Sequence, residues 1–176
     1  VIVVSDATSL IALAKLHHLA LLRELFGNLY IPQAVYDEVT VSAPARAGAN
    51  AVRRADWIQA RDPVDKSRVA YLRADLDPGE AEALVLVEEL AADWVLIDEI
   101  KARLAAESLG IKYIGTVGLL LLAKQRGYGS AIRPLLVHCA LANFTSVTVS
   151  TTVFYARLGN SNIPVMLASR LSRGSP

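Results

Sequence analysis

The sequence predicts an α/β fold with a mainly parallel sheet. Short β-branched apolar runs alternate with helical stretches at close spacing, the pattern of strand–helix–strand units. Two of those runs, "VIVV" and "WVLI", stop abruptly at an acid, Asp6 and Asp98. The chain has 176 residues, 53% of them hydrophobic, with no internal repeat and no linker-like stretch, which suits one domain with a real core.

The elements follow in order. Val1 to Val4 is continuous and β-branched, the signature of a strand buried on both faces. Leu10 to Leu16 and Leu19 to Phe26 read as helices broken at the His17-His18 pair. "NLYIP" reads as a strand, with Pro32 as the first residue of a helix reaching Val39. "VSAPARAGANAVRRA" is rich in small residues and reads as a loop carrying one helix. "WIQA" is a short strand and Val64 to Ala74 a helix. Asp77, Pro78 and Glu80 make a strong helix start: an acid at the N-cap, Pro at the first position and an acid at the third. Trp94 to Ile97 is a strand, Glu99 to Leu109 a helix, and Gly110 its C-cap. "IKYI" is a further strand. Gly115-Thr116 opens an apolar helix to Arg126, and Ser130 to Ala142 is one more. Beyond Asn143 the pattern is mixed and ends in disorder-prone residues.

Composition excludes several classes. The longest apolar block, "TVGLLLLA", is far shorter than the roughly 20 residues of a membrane-spanning helix. The N-terminus lacks both an initiator Met and the shape of a signal peptide, so a trimmed cytoplasmic chain is expected. A single cysteine, Cys139, excludes an internal disulfide framework. His17-His18 are adjacent and His138 stands alone, so no zinc spacing exists. Net charge is only +1, but it is unevenly spread. The last acid is Glu107, and seven Lys and Arg follow it, so an acidic part precedes a basic one. That distribution allows cation binding in the first part and attraction of polyanions to the second.

In open parallel sheets, ligands sit beyond the carboxyl ends of the strands, where Asp6 and Asp98 are expected. Singly, each acid has a structural explanation. Asp6 and Asp98 both precede helices and suit N-caps. Glu80 fits a capping box with Asp77. Glu38 lies on a short helix whose Ile31, Val35 and Val39 face inward, and a lone Glu there is ordinarily surface. Together they say more. Four acids from four separate segments, converging in one cleft, repel unless cations neutralise them. Hard ions such as Mg²⁺ and Mn²⁺ prefer such oxygen ligands.

The series "VVSDATSLIALAKL", "IPQAVYDEV", "LDPGEAEALVLVEELAADWVLIDE" and "GIKYIGTVGLLLLAKQRG", in this order, resembles the PIN domain, the fold of VapC-type toxins and many Mg²⁺-dependent ribonucleases. It is most similar to a branch whose third acid lies in a "GEAEA" context. The resemblance covers about Val1 to Phe144. It implies a three-layer α/β/α fold, with a nuclease domain over 1–145 and a C-terminal extension over 146–176. By resemblance, Asp6, Glu38, Glu80 and Asp98 are the four acids of the metal and catalytic cluster. Glu82 is the alternative to Glu80, and two residues apart on a helix the two point differently. Thr8 matches the polar residue that commonly follows the first acid. One departure stands out: family members often carry Thr two residues before the fourth acid, where this chain has Leu96.

The resemblance further implies hydrolysis of single-stranded RNA, with one or two Mg²⁺ or Mn²⁺ activating water for in-line attack. Candidate substrate contacts are Thr8, Lys101 and Arg103 on the helix after Asp98, and Thr116 at a helix N-terminus. Residues like Lys101 and Arg103 more often form a solvated face, and Thr116 equally suits a helix cap. Tyr36, Trp57 and Tyr113 are candidates for base stacking or plain packing. The competing class is a weakly active PIN-like module whose main role is binding a partner, either an antitoxin or a second copy in a homodimer. Leu96 favours that reading, and four intact acids favour the enzyme. A receiver-like α/β domain also ends strands on Asp, but the chain has no P-loop and no acidic pair at its first strand.

Overall fold

In the computed structural model, residues 1–15, 17–41 and 48–128 are described. The expected helix over Ser130 to Ala142 and the C-terminal extension lie outside them. The first strand, β1 (Val3–Ser5), has only three residues but occupies the middle of the sheet. Helix α1 (Ala7–Lys15) follows, then α2 (Ala20–Phe26), β2 (Leu29–Pro32) and α3 (Gln33–Thr40). After α4 (Ala49–Arg53) come β3 (Ile58–Arg61), α5 (Lys66–Leu72), α6 (Pro78–Glu89) and β4 (Trp94–Leu96). The described chain closes with α7 (Ile100–Ser108), β5 (Tyr113–Ile114) and α8 (Thr116–Gln125).

All strand pairs are parallel, in the order β3-β2-β1-β4-β5. The chain winds outward from β1 in one direction and then, from β4, in the other. The switch point therefore lies between β1 and β4, which pair Val3 with Trp94, Val4 with Val95 and Ser5 with Leu96. Alternation along each strand divides the core into two layers. Val3, Leu29, Ile31, Leu96 and Ile114 face α1, α2, α3 and α8. Val4, Val95, Ile97 and Tyr113 face α5, α6 and α7. The result is a three-layer α/β/α architecture, as the sequence predicts.

Local differences have local reasons. Val1 and Ile2 are exposed ahead of the first strand, which runs to Ser5 rather than Val4. Pro32 ends β2 and serves as the N-cap of α3, its ψ of 152° being extended rather than helical. Helix α7 takes Glu99, not Asp98, as its N-cap, which leaves the Asp98 carboxylate free of that duty. Leu109 is the C-cap of α7, and Gly110 lies just beyond it at φ 69°, a left-handed conformation that favours glycine. His17, also left-handed at φ 58°, makes the expected break between α1 and α2.

Candidate active site

Asp6 stands at the switch point. Its N–H donates to the Leu96 carbonyl (3.0 Å), which extends the β1–β4 pairing one residue past the strand and pins the backbone there. Its Oδ1 accepts the Ser9 N–H (3.1 Å), so the capping role at the start of α1 is real. Its Oδ2 is buried and has no hydrogen-bond partner. Only 2% of the residue is exposed. Burial raises the carboxyl to about 7, with further upward pressure from the charges of Asp98 and Glu80 and opposing help from the Ser9 and Asp98 backbone amides.

Asp98 reaches the same crevice from the end of β4, one residue beyond Ile97, whose N–H donates to the Ile114 carbonyl (3.1 Å). Its surroundings are the reverse of those of Asp6. Oδ1 accepts from Arg103 Nη2 (3.0 Å) and from the Thr116 N–H (2.9 Å). Oδ2 accepts from Ser9 Oγ (3.2 Å) and from the Thr116 hydroxyl. The Arg103 Nε also donates to the Ile97 carbonyl (2.9 Å), and its guanidinium carbon lies 6.0 Å from the centre of the Tyr113 ring. Arg103 is buried, which overturns its reading as a solvated face. Its position three residues into α7 turns it inward onto the acid. Thr116 is buried as well and spends its hydroxyl and amide on Asp98. Leu96 packs in the core, and the hydroxyls near the fourth acid come instead from Ser9 and Thr116.

Glu80 and Glu38 are more open to solvent than Asp6. Glu80 completes the capping box with Asp77, its Oε2 accepting the Asp77 N–H (3.1 Å). Partial burial raises its pKa, and the charges of Asp77 and Glu99 add to the rise, while Lys101 opposes it. Glu38 is exposed on α3. The two helices meet closely at Gly79, where a Cβ would come within 2.9 Å of Val35 Cγ2 and 4.0 Å of Glu38 Oε2. A larger residue would push the Glu38 and Glu80 helices apart. Glu82 accepts from the Ala34 N–H at the start of α3 (3.4 Å), one turn before Glu38. Thr8 and Lys101 are exposed. Trp57 and Tyr113 are core residues, and Tyr113 donates its hydroxyl to Glu107 (2.8 Å).

Ser9 is the residue that sequence reasoning missed. Its amide serves Asp6 and its hydroxyl serves Asp98, so it ties the two strand ends together. The available signal was its place three residues after a capping acid, where the backbone N–H faces the cap.

A family model described as a PIN domain matches residues 2–154, most of the chain. The chain belongs to the PIN-domain family. A search of curated proteins finds no match. PIN domains are generally nucleases, and such nucleases generally use divalent metal ions.

The PIN-domain cleft of this chain fits such an ion. Its donors are all oxygen, as hard cations prefer. One of them, Asp6 Oδ2, is buried without a partner, and the negative charges of Asp98 and Glu80 fall on it. Among the described residues no three acidic, His or Cys side chains close into a cage around an ion. Mg²⁺ does not need one: it keeps several waters and commonly takes one or two carboxylates together with substrate phosphates. No described helix is long and apolar enough to cross a membrane.

Proposed function

We propose that this PIN domain is a metal-dependent endoribonuclease of single-stranded RNA, cytoplasmic and acting as the toxin of a toxin–antitoxin pair. The observation that carries the nuclease reading is the meeting of Asp6 and Asp98 at the switch point, with Asp6 Oδ2 buried and unpaired. An unpaired buried carboxylate oxygen costs free energy unless a cation or proton takes it up. Asp6 would hold Mg²⁺ or Mn²⁺ directly, with Glu80, Glu38 and Asp98 reaching the ion through its waters. When bound, the ion supplies activated water and neutralises charge on the phosphoryl oxygens.

The chain's own residues do the rest. The Leu96 carbonyl and the Ser9 amide fix Asp6 from both sides. Arg103, Ser9 and Thr116 fix Asp98. Glu80 and Glu38, the more solvent-exposed acids, would meet the substrate as it enters. Lys101, exposed and close enough to Glu80 for their charges to interact, would take a phosphate of the RNA backbone, and Thr8, exposed in the first turn of α1, would add a hydroxyl contact.

A second reading rests on a specific observation. Ile100 and Leu104, one turn apart on α7 just after Asp98, are each 60% exposed. Apolar side chains in that position favour a covered surface, by an antitoxin or by a second copy in a homodimer. The reading then is a weakly active module whose main role is that contact.

The deciding experiment incubates labelled single-stranded RNA with the protein in Mg²⁺, Mn²⁺ or EDTA, beside Asp6→Asn. Cleavage that needs metal and disappears in the folded variant is the expected result. No cleavage across varied RNAs, with metal still bound, shifts the assignment to the partner-binding module. Cleavage that survives both EDTA and Asp6→Asn sinks the carboxylate site.

A further inference from the structure

We propose that Arg103 is a resident cation of the acidic cluster: it holds Asp98 in place and leaves the cleft a single divalent-ion position, centred on Asp6. This rests on the metal-dependent reading above and narrows it. The two strand-end acids differ in what they have left to offer. A carboxylate has about four acceptor positions. Asp98 receives four hydrogen bonds, from Arg103 Nη2, the Thr116 amide, the Thr116 hydroxyl and Ser9 Oγ. Binding an ion directly would require it to give up one of these in a buried setting, where the side chains of Arg103 and Asp98 are 7% and 8% exposed. Asp6 has an oxygen with no partner at all.

Two-metal nucleases set their ions about 3.5–4 Å apart, one cation for each side of the scissile phosphate. Here a guanidinium already lies against the second acid at 3.0 Å. Its partners include the Asp98 carboxylate, the Ile97 carbonyl and the Tyr113 ring. The chain also reserves the space for it. At Gly115 any Cβ would press on the guanidinium of Arg103 and come within 2.8 Å of Asp98 Oδ1. The backbone there is extended at φ −90°, which any residue adopts, so the glycine answers to this pair and not to a turn. Arg103 acts through Asp98 and is a positioning residue. Asp98 holds the ion's environment rather than the ion.

The test is a count of bound Mn²⁺ by calorimetry and by the electron paramagnetic resonance of free Mn²⁺, without RNA, with circular dichroism as the check of folding. Wild type is expected to bind one Mn²⁺, and Asp6→Asn none. Asp98→Asn keeps one ion, with affinity reduced about 10–100-fold, the usual effect of losing an outer-shell partner. Arg103→Gln frees a carboxylate and gains a second Mn²⁺, while Arg103→Lys keeps the wild-type count. Should Arg103→Gln not fold, Arg103→Met removes the charge while keeping an unbranched stem and is expected to gain the same second ion. Two ions in the wild type overturn the proposal. So does loss of all binding in folded Asp98→Asn, or an unchanged count in folded Arg103→Gln or Arg103→Met. One Mn²⁺ with no RNA cleavage supports the proposal and defeats the ribonuclease. Two ions with cleavage do the opposite, and no Mn²⁺ at all defeats both.

Discussion

The two strand ends that meet in the cleft carry the same functional group in opposite states. At the end of β4, Asp98 is buried with a buried arginine and three further hydrogen bonds. At the end of β1, Asp6 is more deeply buried, yet has one oxygen unpaired and its carboxyl raised to about 7. The first arrangement offsets the cost of burying charge within the protein. The second leaves that cost standing until something from solution meets it. A satisfied acid shapes a site, and an unsatisfied one binds at it.

The contrast breaks most readily at Asp98. Asp98→Ala strands the Arg103 charge in the interior and is expected to destabilise the fold by about 3–5 kcal/mol. Asp6→Ala, measured without metal, removes a burden and should be near neutral or stabilising. Urea unfolding of both variants reads the difference, and equal losses would end the distinction between the two acids.

The next effect is a pH dependence carried by Asp6. Its folded pKa of about 7 lies above the ordinary 3.8, so between those values the folded state holds the proton more tightly than the unfolded chain. Metal-free stability from this group therefore falls as pH rises from about 4 to about 7, and the penalty stays constant above that. At 1.36 kcal/mol per pH unit the ceiling is about 4 kcal/mol. Thermal melts in EDTA should show Asp6→Asn gaining on wild type as pH rises, and Mg²⁺ stabilising wild type more at pH 8 than at pH 5. A wild-type and Asp6→Asn pair that melts in parallel across that range would show that Asp6 pays no such penalty.

Smaller effects separate the more exposed acids from the strand ends. Glu80→Gln keeps the shape of the capping box but loses the charge, and cleavage should fall about tenfold, less than for Asp6→Asn. RNA cleavage rates at saturating Mg²⁺ check this, and a loss as deep as that of Asp6→Asn would place Glu80 among the strand-end acids. Smallest is Glu82→Gln. Glu82 faces the start of α3, so cleavage should stay within about twofold and stability within about 0.5 kcal/mol. A larger fall would exchange the roles of Glu80 and Glu82.

Much of this was readable in advance, for reasons that can be named. Val3, Val4, Trp94 and Val95 announce buried strands because a parallel sheet covered on both faces needs apolar side chains at consecutive positions. Asp77, Pro78 and Glu80 announce the start of α6 because a capping box is satisfied within one turn. The inward face of α3, Val35 and Val39, follows from helical period. The candidate acids could be named at strand ends and helix starts. Arg103, by contrast, reads in the sequence as a phosphate contact or a solvated charge of α7, and neither reading points to Asp98. Its distinguishing mark is the company of Ala102 and Ala106, small buried neighbours that let the helix lie close. Ser9 looked like an ordinary small residue in the first turn of a helix.

The sequence alone therefore determined the α/β class, the element order and the PIN resemblance, because strands, caps and helical faces are written in local periodicity. Only the tertiary structure decided which acid is satisfied and which is not. Hydrogen bonds from Ser9, Arg103 and Thr116 to Asp98 join residues from three elements, and desolvation of Asp6 depends on what the whole fold packs around it. Those quantities are set by distance in space, and separation along the chain does not encode them.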